Sequence, residues 1–299
     1  MDIFVTGGTG FIGRHLIAEL VGAGHRVVAL NRSPEKAPML EALGASVHPG
    51  DLLDGSTYLE AARAADGVIH AAFDYEATAE GDREALDTLL DGTADRASPF
   101  IYTSGCWVVG DTGGRAAGDD ASTEHPAPLV AWRVPHERRV LDEAAGGRRA
   151  SVVRPGMVYG HEGALTARLF QTAASDGAAE YIGDGENHWS MIHVEDLARL
   201  YRVTLTRSDG GMVQAVDGRP LKVARVAEAA SEAAGAGGET RSIPVEAARE
   251  KLGPVANALC LDQRLVAPAA RAMGWSPDRA SFARAAGDAF REWRAAAGG

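Results

Sequence analysis

The sequence predicts an α/β fold in which a parallel sheet carries helices on both faces and a smaller α/β lobe follows it. The first observation is a strand, a glycine-rich turn, a helix and a second strand within residues 1–32. The second is a series of short apolar runs, each typical of a buried parallel strand, at residues 45–48, 67–73, 99–105 and 149–160. The third is a looser pattern after residue 160, with short helices such as 223–234 and 281–294.

The composition is that of an ordinary globular protein, and it argues against several function classes. The 299 residues are 45% apolar and 24% charged, and the formal net charge of −11 argues against a nucleic-acid partner. No apolar run approaches the ~20 residues that span a bilayer, so we expect no membrane partner. The strand directly after Met1 leaves no room for a signal peptide, and only Cys106 and Cys260 are present, which favours a cytoplasmic location. The histidines and acids show no metal-ligand spacing, so no metal site is expected.

The turn after the first strand organises the rest of the chain. Its glycines have separate functions: Gly7 permits a tight turn, Gly10 lets the backbone approach a pyrophosphate, and Gly13 lets the helix pack close to the sheet. Leu16 and Leu20 continue a four-residue spacing from Ile12 and predict one apolar helix face. Because a helix N-terminus favours anions, we predict that the turn binds a dinucleotide through Gly7, Thr9, Gly10, Phe11, Ile12 and Gly13.

This turn, Thr-Gly-x-x-Gly-x-x-Gly almost at the initiator Met, resembles that of the short-chain dehydrogenase/reductase superfamily. The resemblance is to the extended or atypical, NAD-dependent epimerase/dehydratase-like branch and covers roughly the whole chain. It implies a Rossmann-type doubly wound parallel sheet, a small C-terminal α/β lobe and an NAD(P) cofactor. We place the dinucleotide-binding core at residues 1–160 and the smaller substrate lobe at 161–299, with about 186–206 returning to the core.

The end of the second strand bears on the choice of cofactor. An acid at this point would bond the ribose hydroxyls of NAD, but the residues present are Asn31, Arg32 and Ser33. Arg32 is able to pair with a 2′-phosphate, and Ser33 is able to donate to the same group. We therefore predict that these three residues contact the cofactor and that NADP(H) is preferred over NAD(H). The alternative is a solvated basic loop.

Residues after the third strand are assigned to the cofactor by the resemblance. Asp51 and Leu52 match the Asp-Leu pair that contacts the adenine ring in extended members of the superfamily. The alternative is that Asp51 or Asp54 caps the helix that begins near Ser56.

The fourth strand ends in small residues, which suit close passage of a cofactor. Ala71 and Ala72 are therefore predicted to contact it, and the His-Ala-Ala segment resembles that of the family. Phe73 follows and is assigned to the same site, with Tyr75 close by as a possible pocket residue. His70 is expected to be structural, because the strand is buried.

The catalytic motif that the resemblance implies is broken. Aligning the strand at 99–105 places Gly105 in the slot of the catalytic Ser or Thr. Thr103 and Ser104 lie just before it, and one of them fills the slot if the turn is shifted; Thr103 is also predicted to contact the cofactor. The next helix should carry Tyr-x-x-x-Lys, in which the lysine lowers the tyrosine pKa and holds the nicotinamide ribose. One alignment frame puts Leu129 and Arg133 in these slots, and a frame shifted by three puts Trp132 and His136 there. Neither frame contains a tyrosine, whereas Arg133 retains a cation that is able to hold the ribose. In this helix Pro135 marks either a kink or the first turn.

The segment 149–160 is close to the Arg-Pro-x-x-x-Tyr-Gly signature of the family. The resemblance implies that Pro155, Gly156 and Val158 meet the nicotinamide carboxamide. Arg154 is equally explained by a structural ion pair, and Tyr159 is a candidate proton source.

These observations favour an NADP(H)-dependent oxidoreductase that acts on a small molecule. With the motif tyrosine missing, the candidate catalytic residues are Ser104, Arg133, Tyr75, Tyr159 and His136. One alternative is an epimerase or dehydratase that keeps its cofactor bound and returns the hydride. Another is a cofactor-binding sensor without catalysis. The expected partner is a small-molecule substrate, and a homodimer is left open.

Overall fold

Strands and helices alternate along the first part of the chain in a computed structural model, which describes residues 1–73, 79–94 and 98–297. The strands are β1 Asp2–Thr6, β2 Arg26–Asn31, β3 Ser46–Pro49, β4 Gly67–His70, β5 Phe100–Thr103, β6 Ala150–Pro155, β7 Met157–Tyr159, β8 Ala179–Ile182, β9 His188–Trp189, β10 Met191–His193, β11 Gly211–Ala215, β12 Leu221–Lys222 and β13 Thr240–Ile243. The helices are α1 Phe11–Gly22, α2 Ala37–Ala42, α3 Leu59–Ala64, α4 Ala79–Gly92, α5 Arg133–Ala145, α6 Ala167–Asp176, α7 Val194–Arg207, α8 Val223–Ala233, α9 Val245–Leu252, α10 Val255–Leu259, α11 Pro268–Ala272 and α12 Phe282–Ala297.

A seven-stranded sheet lies at the centre, in the order β11-β6-β5-β4-β1-β2-β3. Strands β1 to β6 pair in parallel, so the predicted Rossmann-type fold class is confirmed. The strand order reverses between β1 and β4, whose last residues, Thr6 and His70, are register partners. Sheets of this kind bind their ligands at the carboxyl ends of the strands beside such a reversal.

The first helix packs on the sheet by a face that differs by one residue from the predicted one. Leu16, Ile17 and Leu20 are fully buried, whereas Ile12 is only half-buried. The reason is that α1 already begins at Phe11, so Ile12 belongs to its open first turn. The central apolar residues of β1 are also fully buried, which fixes this strand in the core.

Three predicted strands end earlier than expected, and one of them, the run 99–105, ends at Thr103. The run 67–73 is a strand only to His70, so Ala71, Ala72 and Phe73 lie beyond the sheet. The run 149–160 is divided at Gly156 into β6 and β7, and β7 pairs with β10 in a separate two-stranded sheet. The division is explained by close packing, because a Cβ atom at Gly156 would collide with the carbonyl oxygen of Ser190.

The helix predicted over 129–141 begins at Arg133, after a 3-10 turn formed by Pro128–Val130. Leu129, which one alignment frame placed in the tyrosine slot, is therefore outside the helix. Pro135 lies in the first turn of α5, where its missing N–H leaves no helical bond unmade. Of the two alternatives for this proline, the structure shows the first turn.

The contacts divide the chain into two compact units. The first contains Met1–Ser104, Trp132–Arg154 and Leu197–Val213, and the second contains Gly105–Ala131, Pro155–Asp196 and Gln214–Gly299. The predicted boundary at residue 160 and the predicted return of about 186–206 to the core stay predictions; residues Leu197–Val213 belong to the first unit. The segment 105–131 belongs to the second unit because its backbone bonds to residues near 263: the N–H groups of Thr112 and Ala117 donate to the carbonyls of Asp262 and Arg264.

The second unit has its own core of helices packed on the parallel pair β8 and β13. Phe170, Val226 and Phe282, from α6, α8 and α12, are fully buried in it. The helices predicted at 223–234 and 281–294 are confirmed as α8 and α12. In the part of the chain that the structure describes, none of the helices has the length and apolar character needed to cross a membrane.

Candidate active site

The glycine turn has the backbone geometry that the sequence predicts. Gly7 has a φ of +76°, and a Cβ atom there would lie 2.5 Å from the carbonyl oxygen of Ala71. A Cβ atom at Gly13 would collide with the carbonyl oxygen of Gly7. Gly13 therefore makes room for the glycine turn, which corrects its predicted role of letting the helix pack close to the sheet. Gly10 precedes α1 without a side-chain cap, and the first turn of α1 contains no acid. The turn therefore leaves the N–H groups of the helix N-terminus available to an anion.

At the end of β2, a side chain hydrogen-bonds to the backbone of the same turn. The side chain of Asn31 donates to the carbonyl of Ser33 at 2.7 Å, and the Ser33 N–H lies 3.3 Å from Asn31 Oδ1. Because Asn31 is buried, it shapes this turn, while the exposed Arg32 points its guanidinium towards Asp51, with 4.0 Å between Nη1 and Oδ1. Asn31 and Ser33 thus form one turn, and Arg32 lies between them with its side chain exposed.

The segment after β3 shows which acid acts as a cap. Asp54 accepts hydrogen bonds from the backbone N–H and the hydroxyl of Ser56, so it is the residue that caps the following 3-10 turn. Asp51 accepts from the N–H of Leu53 instead, at 3.0 Å. The carbonyl of Leu52 accepts from the Tyr58 hydroxyl, which fixes the backbone at the predicted adenine contact.

The residues after β4 are tied to the glycine turn through Thr6. Ala71 N–H donates to the Thr6 carbonyl, and Ala72 N–H donates to the Thr6 hydroxyl, both at 3.3 Å. Phe73 stacks on Trp132, with ring centroids 5.2 Å apart. Tyr75, the neighbouring candidate, lies outside the described residues.

The end of β5 presents two hydroxyls in different surroundings. Thr103 Oγ1 lies 2.7 Å from the hydroxyl of Tyr201, whose own pKa burial raises far above its usual value. Ser104 is held through its backbone, whose N–H donates to the Val153 carbonyl at 2.8 Å. Its Oγ is buried and has no hydrogen-bond partner among the residues that the structure describes. Such an atom normally needs a partner, which a ligand or water would provide.

Arg133, the residue in the lysine slot, is half-buried and held on several sides. Its Nη1 donates to the Tyr102 hydroxyl and to the Thr103 carbonyl, each at 3.1 Å. Its guanidinium carbon lies 4.3 Å from the centroid of the Trp132 ring and 5.0 Å from that of Phe73. Cation–π contacts and fixed acceptors together hold this cation in one orientation.

The remaining candidates already have structural partners. His136 is buried, and its Nδ1 lies 2.9 Å from Asp82 Oδ2. The Tyr159 hydroxyl donates to the carbonyl of Ala280 at 3.1 Å in the second unit, and burial raises its pKa far above the usual value. Arg154 forms the structural ion pair with Glu137 that was one of its two interpretations, with N–O distances of 2.9 and 2.6 Å.

The residues predicted to meet the carboxamide lie in the second unit. Gly156 N–H donates to the carbonyl of Ala215 at 3.0 Å, directly after Pro155. Val158 is half-buried and pairs with Ile192. Their contact with a cofactor stays a prediction. The described residues include no group of three or more His, Cys, Asp or Glu able to hold a metal ion.

Comparison with known proteins identifies the family of this chain. The model of the NAD-dependent epimerase/dehydratase family matches residues 3–216. The chain belongs to this family. The resemblance on which the sequence predictions depend is therefore confirmed, and with it the membership of a family of NAD(P)-dependent enzymes.

The chain is also similar to individual proteins and solved structures. An uncharacterized protein of Schizosaccharomyces pombe is 34% identical over 301 residues, covering 94% of this chain and 97% of that protein. The 4-hydroxy-2-methyl-3-oxo-4-farnesyl-3,4-dihydroquinoline-1-oxide ketoreductase of Stigmatella aurantiaca is 29% identical, covering 83% and 78%. A dTDP-glucose 4,6-dehydratase from Streptomyces venezuelae, solved with NAD bound, has a TM-score of 0.81 at 20% identity, over 100% of this chain and 98% of that one. This last likeness shows a shared fold.

Sequence reasoning did not single out two buried residues beside Arg133, Asp82 and Tyr102. The hydroxyl of Tyr102 donates to Asp82 Oδ2 at 2.8 Å, and both residues are buried. One signal for Asp82 was available, because it begins the buried face of α4 that continues with Ala85, Leu86, Leu89 and Leu90. An acid on such a face needs buried donors.

Proposed function

We propose that the protein is an NADP(H)-dependent oxidoreductase that reduces a carbonyl group of a small molecule. The observation that carries the proposal is the end of β2, where no acid is present and the exposed guanidinium of Arg32 directly follows the last strand residue, Asn31. A guanidinium forms bidentate, charge-assisted hydrogen bonds with a 2′-phosphate, which are stronger than a hydrogen bond to a 2′-hydroxyl. The likeness to a ketoreductase over most of both chains supports reduction as the net reaction.

The residues of the first unit fit such a cofactor. The open N-terminus of α1 and the absence of a side chain at Gly10 suit a pyrophosphate, since a Cβ atom at Gly10 would meet only the carbonyl of Gly7, at 3.3 Å. Thr9, Phe11 and Ile12 belong to the same turn. When bound, the cofactor supplies a hydride to the substrate.

Arg133 is proposed to hold the nicotinamide ribose in place of the usual lysine. The Tyr102 hydroxyl and the Thr103 carbonyl accept from its Nη1. Its remaining N–H groups make no hydrogen bond to the described residues, so they are available to ribose hydroxyls. A guanidinium is always protonated, however, and is a poor proton donor. Arg133 is thus assigned binding and orientation, not proton transfer.

Ser104 is proposed to orient the substrate oxygen. Its buried Oγ has no partner among the described residues, and it directly precedes Gly105, the residue in the catalytic slot. A serine hydroxyl is a hydrogen-bond donor but a weak acid, so the proton itself would come from water. A site without an acidic donor suits a carbonyl that neighbouring groups already activate. His136 and Tyr159 are less suited, because both have structural partners.

The remaining expectations are proposed on coarser grounds. The net charge of −11 supports a small-molecule substrate rather than a nucleic acid, and the low cysteine content supports a cytoplasmic location. A homodimer stays a prediction.

Titration of the purified protein with NADPH and NADH, followed by nucleotide fluorescence, tests the cofactor. We expect at least about tenfold tighter binding of NADPH, which corresponds to one charge-assisted contact. Oxidation of NADPH is then compared for an activated ketone, ethyl acetoacetate, and an unactivated one, cyclohexanone. Turnover of the first only is expected. Tighter NADH binding would overturn the cofactor assignment, and a tightly retained cofactor without net turnover would favour the epimerase or dehydratase alternative that the structural neighbours suggest.

A further inference from the structure

A buried polar network extends from the glycine turn to Arg133 within the first unit. The sheet register sets its centre, because His70 is the partner of Thr6 across β1 and β4 and of Tyr102 across β4 and β5. Helices α4 and α5 add Asp82 and His136. These residues are each at most 5% exposed, so bulk water does not hydrogen-bond to their side chains: Thr6, His70, Asp82, Tyr102 and His136.

The donors and acceptors fix the orientation of the Tyr102 hydroxyl. An ionised carboxylate only accepts, so Tyr102 donates its proton to Asp82 Oδ2, at 2.8 Å. A guanidinium only donates, so the same oxygen accepts from Arg133 Nη1, at 3.1 Å. The hydroxyl therefore connects the carboxylate of Asp82 to the guanidinium of Arg133, and only one placement of its proton satisfies both contacts. Tyr102 itself stays protonated, since burial raises its pKa far above the usual value.

Two histidines lie beside Asp82, and one of them is within hydrogen-bond distance. His136 Nδ1 lies 2.9 Å from Asp82 Oδ2, whereas His70 Nε2 lies 3.8 Å from Oδ1, too far for a hydrogen bond. On its other side, His70 Nδ1 lies 2.7 Å from Thr6 Oγ1, which also accepts from the Ala72 N–H. Burial opposes ionisation of Asp82, yet the His136 hydrogen bond and the neighbouring donors hold its pKa below the usual value. Asp82 is thus a buried anion.

Asp82 supplies the counter-charge of Arg133 without touching it. Among the residues that the structure describes, no acid pairs directly with this guanidinium, and its two contacts with acceptors both use Nη1. A carboxylate in direct bidentate contact would occupy the remaining N–H groups. The Tyr102 hydroxyl lies between the two charged groups, so Asp82 balances the charge of Arg133 without direct contact. The remaining N–H groups of Arg133 stay available to a ligand.

We propose that Asp82 and Tyr102 are positioning residues, which form a hydroxyl-bridged ion pair that holds Arg133 ready for the nicotinamide ribose. This inference rests on the proposed function, because the role of Arg133 belongs to it. Thr6, the first residue of the Thr-Gly-x-x-Gly-x-x-Gly motif, lies 2.7 Å from His70 at the edge of this network.

A double-mutant cycle on NADPH affinity tests the inference, with thermal unfolding recorded for every variant. The variants are Arg133→Ala, Tyr102→Phe and the two combined. We expect Arg133→Ala to weaken NADPH binding about 10- to 100-fold and Tyr102→Phe about 3- to 10-fold, as loss of hydrogen bonds to a charged group predicts. In the Arg133→Ala background, Tyr102→Phe should have no further effect on affinity, because its action passes through Arg133.

The outcomes separate this inference from the proposed function. Equal losses from Tyr102→Phe in both backgrounds, or no loss in either, would overturn the positioning role while leaving the role of Arg133 intact. Undiminished affinity in Arg133→Ala would overturn the proposed ribose contact itself. Ser151→Ala is the matched control, since it removes a buried hydroxyl that bonds to Ser208 and should leave affinity unchanged. If Tyr102→Phe does not fold, Asp82→Asn enters the same cycle with the same expected non-additivity.

Discussion

Arg32 and Asp51 face each other beyond the ends of β2 and β3, with Nη1 and Oδ1 4.0 Å apart. Their side chains are 55% and 40% exposed, so the pair contributes little to stability. A phosphate offers the guanidinium two oxygens in a bidentate contact and is able to displace the longer contact with the carboxylate. The pair therefore holds Arg32 near the predicted phosphate position without blocking it.

The first prediction is that Arg32→Ala weakens NADPH binding about tenfold or more while changing NADH binding less than about twofold. The physical reason is the loss of one charge-assisted contact with the 2′-phosphate. Fluorescence titration with both nucleotides measures it. Arg26→Ala is the control, because Arg26 lies on the same strand, pairs with Asp2 and carries the same charge. Equal effects of the two variants would show that general charge, not a 2′-phosphate contact, is responsible.

The second prediction concerns the open space at Gly10. Gly10→Val should abolish binding of either nucleotide, because the added side chain would occupy the space where the backbone approaches the pyrophosphate. It should cost little stability, because a Cβ atom at Gly10 would meet only the carbonyl oxygen of Gly7, at 3.3 Å. Calorimetric titration and a thermal melt are the two measurements. Gly22→Val, at the far end of α1 with open space around it, should bind both nucleotides normally. Wild-type affinity in Gly10→Val would place the phosphates elsewhere.

Much of the sheet was predictable because its signals are local. A buried parallel strand is a short apolar run, and the glycine turn carries its own fingerprint, so β1, β2 and α1 follow from residues 1–32. Strand ends were less predictable. Gly156 divides one apolar run into β6 and β7 because of a close approach to Ser190, and nothing near Gly156 in the sequence indicates this contact.

The polar network could not be predicted for the same reason. Asp82, Tyr102 and His136 come from α4, β5 and α5 and meet only through the folded chain. Each residue alone is unremarkable in sequence, and only the sheet register brings His70 and Tyr102 together. The sequence indicated a role for Arg133 because the resemblance places this residue in the position of the lysine. Nothing in the sequence indicated that the Tyr102 hydroxyl contacts it.

The third prediction concerns the buried pair of Glu137 and Arg154. Glu137→Leu alone leaves an uncompensated buried charge and should lower the free energy of unfolding by about 3–5 kcal/mol. Combining it with Arg154→Met should recover most of this loss, because an apolar pair of similar size replaces the ions. Urea denaturation of the single and double variants measures both effects. A double variant as unstable as the single one would contradict the explanation.

The fourth prediction is a pH dependence of stability through Glu292. Burial opposes its ionisation, but a hydrogen bond from His193 (3.0 Å) and the N–H of His161 bring its pKa down to about 2. The folded pKa is depressed below the ordinary value of about 4.3, so the carboxylate stabilises the fold above that value. This stability is lost as the pH falls towards about 2.

We therefore expect wild type to lose on the order of 2 kcal/mol more than Glu292→Gln between about pH 5 and about pH 2. Urea denaturation across this range gives the comparison. Asp288→Asn, on the exposed face of the same helix, should retain the wild-type pH dependence. The assignment fails if Glu292→Gln and wild type lose stability in parallel.

The last prediction compares two buried serines, Ser104 directly after β5 and Ser151 on β6. Ser104 Oγ has no hydrogen-bond partner among the described residues, so Ser104→Ala should leave the free energy of unfolding unchanged or slightly higher. Ser151 Oγ bonds to Ser208 at 2.9 Å, so Ser151→Ala should cost about 1 kcal/mol. Turnover of an activated ketone with NADPH should show the reverse order. Ser104→Ala should lower kcat about tenfold or more if its hydroxyl orients the reacting oxygen, and Ser151→Ala should not change kcat. An unchanged kcat in Ser104→Ala would remove this serine from the site and leave the substrate oxygen to water or to the undescribed segment that contains Tyr75.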